Sequence, residues 1–289
     1  MDHNRPVLVI GAAGMLGHTM MRVLALDPAL HVVGTVRNAA SCSLLPPALR
    51  PHVRIAGDLT ADGALAALLD TVQPRAVINC VGLIKQAAHA EDPVAALPVN
   101  SMLPHHLMKL CATRGIRLVH VSTDCVFSGT RGNYLESDTP DARDVYGLSK
   151  YLGELAGPHA VTLRTSIIGP ELGTAAHGLL GWFLSQRMPV RGFTRAVFSG
   201  LPTVELARII RDIVLPDASL QGLYHVAAAP INKHDLLCLV AQIYGRDTAI
   251  AADDTLVIDR SLNAGRFHAH TGYTAPTWPE LVRQMHEFG

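Results

Sequence analysis

The sequence of 289 residues carries no excess charge of either sign: lysine and arginine total 24, and aspartate and glutamate total 24. A broad basic surface for nucleic acid or an anionic membrane is therefore not expected, although a local basic pocket is compatible with the balance. Long hydrophobic runs are also missing. The apolar stretches are strand-length and interrupted, well short of the roughly 20 residues needed to cross a bilayer. Cysteine is sparse. Cys42, Cys80, Cys111, Cys125 and Cys238 are scattered, odd in number and without a Cys-x-x-Cys pair, as expected of reduced thiols rather than a disulfide framework. The 15 histidines are dispersed, and His268-Ala-His270 lacks the further ligand spacing of a metal site, so no metal is expected. There is no internal repeat and no low-complexity linker. The opening Met1 to Pro6 leads straight into a strand and does not read as a signal peptide, which gives the expectation of a cytoplasmic protein.

What is present is apolar mass, with 49% hydrophobic against 17% charged residues, ample for one large α/β unit with or without an appended lobe. Short apolar runs at Val7 to Ile10, His31 to Val36, Val53 to Ala56, Ala76 to Val81, Arg117 to Ser122 and Val161 to Ile168 read as strands. Helical patterns over His18 to Leu26, Gly63 to Thr71, Asn100 to Arg114 and Tyr146 to Ala156 lie between them. Continuous apolar strands alternating with helices predict a doubly wound, parallel Rossmann-type sheet covered on both faces, with ligands beyond the carboxyl ends of its strands. After about Ser166 the pattern loosens. Gly178 to Arg187, Val204 to Val214 and Lys233 to Ile243 read as helices and Leu223 to Ala227 as a strand. The expected division is a dinucleotide-binding domain over 1–165 and a smaller, mainly substrate-binding lobe over 166–289, with some segments returning to the main sheet.

The first strand ends in Gly11-Ala12-Ala13-Gly14-Met15-Leu16-Gly17. Glycine permits a tight turn and lets backbone N–H groups approach a pyrophosphate, while the next helix points its positive end at that anion. A plain glycine-rich turn is the alternative, and the place in the first βα unit favours the cofactor. Gly11, Ala13, Gly14, Met15, Leu16 and Gly17 are thus candidate dinucleotide contacts. The second strand ends at Arg37, where an NAD-selective site usually has an acid for the ribose 2′-hydroxyl. A guanidinium fork there suits a 2′-phosphate, so NADP(H) is the expected cofactor, with NAD(H) kept open; a solvated arginine is the other reading. Asp58, followed by Leu59, is placed to accept from the adenine amino group and reads equally well as a turn aspartate. Cys80, Val81 and Gly82 close the fourth strand on the expected ribose and nicotinamide path.

The strongest chemical signal is Ser122-Thr123-Asp124 at a strand end, followed by Tyr146-Gly147-Leu148-Ser149-Lys150. Tyrosine and lysine four apart share one helical face. A free phenol titrates near about 10, and a neighbouring ammonium and a positively charged nicotinamide are expected to lower that value. Tyr146 can then protonate a carbonyl oxygen as hydride arrives, Thr123 can hydrogen-bond the same oxygen, and Lys150 can hold the nicotinamide ribose.

Together with Leu163-Arg164-Thr165-Ser166, these stretches resemble the extended short-chain dehydrogenases/reductases, and more closely the dTDP-4-dehydrorhamnose reductase family of nucleotide-sugar reductases, over nearly the whole chain. The resemblance implies a catalytic threonine, tyrosine and lysine, which map onto Thr123, Tyr146 and Lys150. It departs at Cys125, where that family usually has tyrosine; a small packed thiol is the reading adopted, and the change bears on which sugar is accepted. Related dehydratases carry an Asp-Glu pair after the threonine, whereas this chain has Asp124-Cys125, which disfavours dehydration. For the substrate, Lys85, Asn100, Arg260 and Arg266 are candidate contacts, with Asn100 as a helix N-cap near the site. Trp182 and Phe183 are candidate walls of a base pocket. Solvated charge and core packing are the bland readings of these residues. The expected activity is NADPH-dependent reduction of a 4-keto nucleotide deoxysugar. A nucleotide-sugar epimerase that keeps its nicotinamide bound and a non-catalytic NADP(H)-binding regulatory subunit are the alternatives. The expected partner is a nucleotide-diphosphate sugar, and a homodimer is left open.

Overall fold

A computed structural model describes residues 5–85, 91–173 and 177–289. The first half is built from β1 (Val7–Ile10), α1 (Met15–Ala25), β2 (Val32–Val36), α2 (Ala39–Ser43), β3 (Val53–Ile55), α3 (Ala64–Val72) and β4 (Ala76–Asn79). There follow α4 (Pro93–Leu97), α5 (Leu103–Thr113), β5 (Arg117–Thr123), α6 (Val145–Leu152), β6 (Ala160–Thr165) and β7 (Ile167–Ile168). The remainder comprises α7 (Leu179–Ser185), β8 (Val190–Phe193), β9 (Ala196–Phe198), β10 (Leu201–Pro202), α8 (Thr203–Ile209), β11 (Gly222–His225) and β12 (Ile231–Asn232). It ends with α9 (Lys233–Ile243), β13 (Ile250–Asp253), β14 (Ile258–Asp259), α10 (Gly265–Thr271) and α11 (Trp278–Phe288).

Seven strands form the main sheet in the order β11-β6-β5-β4-β1-β2-β3. Every pairing in it is parallel, which requires crossover connections and covers both faces. The run Val-Leu-Val-Ile of β1 is wholly buried for that reason. Alternate residues divide between two cores. Val7 and Val9 join α1, α8, α9 and α11 on one face, while Leu8 and Ile10 join α3 and α5 on the other. This is the doubly wound Rossmann-type sheet that the alternation implied. No described helix is long and apolar enough to cross a membrane.

The turn after β1 shows why glycine stands there. Gly11 has φ +88°, a left-handed conformation, and a Cβ on it would lie 2.8 Å from Val81 Cγ2. A Cβ on Gly17 would overlap the Gly11 carbonyl oxygen, so α1 starts closer to the strand than any side chain allows. Helix α1 therefore begins at Met15, three residues before the apolar pattern becomes visible, with Gly14 in extended conformation as its N-cap.

Several boundaries differ from expectation. The helix expected to open at Asn100 is part of a longer helical run. Asp92 caps α4 and Pro93 occupies its first turn, and a π-helical turn, Pro98–Met102, joins α4 to α5. Pro98 and Pro104 lack N–H donors, and a widened turn is a common way to accommodate such gaps. Asn100 is thus inside a helix, buried, and not an N-cap. Helix α6 ends at Leu152, earlier than expected, because a Cβ on Gly153 would overlap the Asn100 carbonyl oxygen; the two segments touch through backbone. The expected strand Val161 to Ile168 breaks at Ser166, where the chain leaves the main sheet and Ile167–Ile168 pairs with β10. Outside the main sheet, β8 pairs with β13, and β9 lies between β12 and β14.

Gly17→Ala is expected to lower unfolding free energy by about 1–3 kcal/mol through overpacking. Gly14→Ala, whose Cβ would sit 3.4 Å from the Gly11 carbonyl oxygen at φ −74°, is expected to cost less than about 1 kcal/mol. Urea unfolding of both variants checks the ordering, and equal losses would contradict it.

Candidate active site

A cleft opens at the carboxyl ends of β1 to β4. Of the proposed dinucleotide contacts, Gly11, Ala13, Gly14, Arg37, Asp58, Leu59, Cys80, Val81 and Gly82 line it. Met15, Leu16 and Gly17 do not: the Leu16 side chain is buried in the core, and Gly17 serves the helix–strand contact. The glycines leave a cradle that a Cβ on Gly11 would fill, and helix α1 points its amino end into the same turn. Those features fit a pyrophosphate. Arg37 is exposed at the rim. Asp58 is held below the usual carboxylate range, first by hydrogen bonds from the Thr60 hydroxyl (2.7 Å) and amide (2.9 Å), with Arg37 adding to the effect. One of its oxygens is thereby engaged in a turn.

Ser41, Thr60, Val99 and Leu103 also line the cleft and were not singled out from sequence. For Ser41 a signal existed. Asn38 caps α2 by accepting from the Ser41 amide at 2.8 Å, the three-residue spacing typical of an N-cap just beyond the second strand.

At the far end of the cleft, β5 and α6 bring Thr123, Tyr146 and Lys150 into one region. Thr123 is buried; its Oγ1 accepts from the Cys125 amide at 3.1 Å and donates to Asp124 Oδ1 at 3.2 Å. Lys150 is buried and its Nζ donates to the Val121 carbonyl at 2.8 Å. A Cβ on Gly82 would lie 3.9 Å from that ammonium, so Lys150 faces the strand end that lines the cleft. Burial lowers the Lys150 pKa to about 8, opposed by the negative charge of Glu154. The expectation that Lys150 lowers the Tyr146 pKa is not met. Burial pushes the Tyr146 phenol above its ordinary value, Cys125, Asp124 and Asp144 push in the same direction, and a hydrogen bond with Thr123 opposes them. The ammonium is turned to Val121 instead. Cys125 is pushed up to about 12, by burial first and Asp124 second, which makes it a neutral packed thiol.

Helix α6 is seated by contacts that the sequence reading did not assign. A Cβ on Gly147 would overlap the Cys125 carbonyl oxygen, and Gly153 touches Asn100. Asn100 accepts from the Leu83 amide at 2.8 Å and donates to the Leu83 carbonyl (3.1 Å) and Ser149 Oγ (3.0 Å). It ties the loop after β4 to α6, so its polar groups are spent within the protein rather than offered to a substrate. Asp144 caps α6 by accepting from the Gly147 amide at 2.9 Å, and Lys85 pairs with Asp144 at 3.1 Å. Just beyond α6, Glu154 accepts from Ser122 Oγ (2.7 Å) and from Arg164 Nε (2.8 Å) and Nη2 (2.6 Å). Arg164 is 1% exposed and also contacts His225 Nε2 at 2.9 Å. These groups join β5, β6 and β11 behind the site in one buried polar network, costly to break from one side.

The remaining candidates divide. Arg260 donates from Nε to the Phe127 carbonyl at 2.7 Å, and its charge acts on Asp124 and Asp144, so it faces this region. Arg266 is not brought there: its guanidinium lies 4.7 Å over the Tyr224 ring on the edge strand β11. Phe183 is fully buried in the core and cannot wall a base pocket, while its neighbour Trp182 is exposed.

Comparison with known proteins agrees with this geometry. The chain is similar to a probable low-salt glycan biosynthesis reductase, Agl14, of Haloferax volcanii, with 28% identity over 87% of this chain and 85% of that protein. It is 29% identical to the dTDP-4-keto-6-deoxy-D-glucose reductase of Streptomyces niveus, over 83% of this chain and 79% of that protein. It is also 25% identical to the methionine adenosyltransferase 2 subunit beta of Xenopus tropicalis, over 83% and 72% of the two chains. Its fold matches that of a Bacillus anthracis dTDP-4-dehydrorhamnose reductase solved with NADP, with a TM-score of 0.81, 18% identity and coverage of 99% and 98%. The sequence profile of the RmlD substrate binding domain matches residues 5–258. The chain belongs to this RmlD family, the dTDP-sugar reductase family that its motifs resemble.

Proposed function

We propose that the protein is an NADPH-dependent oxidoreductase that reduces the 4-keto group of a dTDP- or UDP-linked deoxysugar, with Tyr146 as proton donor. The observation that carries this reading is that Lys150 stands beside Gly82 of the glycine-cradled cleft while Tyr146 on the same helix is hydrogen-bonded with Thr123. The reductase relatives named above support the substrate class. NADPH, bound along the cleft, would supply hydride to the carbonyl carbon. Arg37 at the rim would take the 2′-phosphate. The Tyr146 phenol carries its proton at neutral pH and so has one to donate, and its raised pKa makes it a weaker acid than a free phenol, a cost that catalysis has to offset. Lys150 would hold the nicotinamide ribose through its ammonium. Thr123 would orient the carbonyl oxygen by a hydrogen bond. Arg260 and Lys85 are the proposed contacts to the diphosphate, and the lobe formed by residues 166–289 would receive the sugar nucleotide.

A second reading is favoured by one finding. The similarity to a protein named as a beta subunit of methionine adenosyltransferase supports a regulatory subunit that works with a partner chain, without turnover of its own. An epimerase would interconvert sugars without net loss of NADPH.

Incubating the protein with NADPH and a panel of 4-keto nucleotide sugars, while following nicotinamide absorbance, separates the reductase from the other two. The reductase consumes NADPH with at least one member; no consumption with any of them removes this proposal. Tyr146→Phe is expected to lower kcat by about 100- to 10,000-fold while NADPH still binds. Undiminished turnover would contradict the role of the phenol. Arg37→Asp is expected to reverse the NADPH/NADH preference, and an unchanged ratio would dismiss the 2′-phosphate contact. Because Lys150 titrates near about 8, its ammonium is complete below that pH and is lost as pH rises through it. The kcat/KM profile should therefore fall on the alkaline side around about pH 8, and a flat profile to pH ~10 would contradict the requirement for the ammonium.

A further inference from the structure

The end of the sheet opposite the cofactor cleft, where its strands begin, carries a second cavity of about 370 Å³. The strands β1, β4, β5 and β6 stand side by side, and a cationic or imidazole residue opens each or precedes it by one or two positions. Arg5 precedes β1, Arg75 precedes β4, Arg117 opens β5 and His159 precedes β6. The parallel register brings these positions into one row, with Arg117 one step before Leu118↔Ala160 and Arg75 one step before Ala76↔Arg117. All four side chains line the cavity, and no carboxylate does. In a chain whose charges balance overall, three guanidinium groups at one end of the sheet are a local excess.

Helices of this architecture direct their carboxyl ends, with partial negative charge, at this end. One of the arginines answers that charge directly, and a second is held by loop carbonyls. Arg5 donates to the Gln73 (2.8 Å) and Pro74 (3.0 Å) carbonyls at the end of α3. Arg117, 5% exposed, donates to the Ala218 (3.2 Å) and Leu220 (2.8 Å) carbonyls. Helix capping does not use all of the donors. Arg117 Nε is buried without a partner, and its lack of accessible surface places it behind the cavity wall rather than on it. The carboxylate whose charge reaches Arg117 is Asp217, and it is engaged by Ser219 Oγ at 2.6 Å and His270 Nε2 at 3.3 Å. Arg75 makes no side-chain hydrogen bond or ion pair among the described residues and is surplus to the capping. Guanidinium groups around a cavity whose lining holds no carboxylate are suited to an oxyanion, since their forks match its geometry.

We infer that this arginine-lined cavity binds an oxyanion of the phosphate type, at a place separate from the dinucleotide cleft. Its size admits phosphate, pyrophosphate or a small phosphorylated metabolite, and occupancy there leaves the cleft free, as an effector would. The inference stands apart from the reductase reading and is tested without any turnover. Calorimetric titration with pyrophosphate, with the cleft saturated by NADP and ionic strength fixed with sodium chloride, is expected to give saturable binding with Kd near or below about 1 mM. Arg75→Gln should weaken it at least about tenfold. Arg37→Gln, in the cleft, should leave this binding in place. Arg75→Lys, which keeps the charge and loses the fork, carries the same test with a smaller loss should the glutamine variant unfold. No saturable binding by the wild type, equal binding by all Arg75 variants, or loss only in Arg37→Gln would each overturn the inference.

Discussion

The close seating of helix α6 is the constraint on which the site depends. Tyr146 and Lys150 sit one turn apart, and that spacing is useful only if the helix is pressed against the strand ends. Gly147 lets it touch the backbone at Cys125, and Gly153 lets it touch the backbone at Asn100. Between these two contacts the Asn100 amide holds both Ser149 and the loop at Leu83. The phenol thus lies against the segment that follows Thr123, and the ammonium lies against Gly82. A bulkier residue at either glycine would lift the helix and separate the groups.

Behind the helix, the network of Ser122, Glu154, Arg164 and His225 joins the central strands to the edge strand. Glu154 lies four residues beyond Lys150, and its charge counters the effect of burial on that ammonium. One carboxylate therefore contributes both to the rigidity of the scaffold and to the charge state of the site. The first βα turn works on the same principle of close approach. Gly11 and Gly17 bring α1 down onto β1 so that a pyrophosphate can meet backbone rather than side chains.

Much of this was legible in the sequence, because strand runs, glycine spacing and the Tyr-x-x-x-Lys pair are local patterns. The parallel sheet follows from buried runs such as Val7 to Ile10, and the cleft from glycines at a strand end. What was not legible depends on distant partners. Asn100 looked like a cap because it precedes an apolar pattern, yet helix α4, started by Asp92 and Pro93, runs into it. Phe183 and Trp182 are adjacent and similar in character, and only tertiary packing sends the first inward and the second outward. Arg260 and Arg266 differ in the same way, one turned to Phe127 and the other laid over Tyr224. The effect expected of Lys150 on Tyr146 is not found because four-residue spacing sets a shared face but not where an ammonium points; the Val121 carbonyl decides that.

The most direct measurement is isotopic. NADPH carrying deuterium at the transferable nicotinamide position is incubated with the protein and a 4-keto nucleotide sugar, and the product is examined by proton NMR. Deuterium on the new carbinol carbon is the expected result. A product without deuterium at that carbon, or no product with any 4-keto sugar, would contradict the reductase assignment.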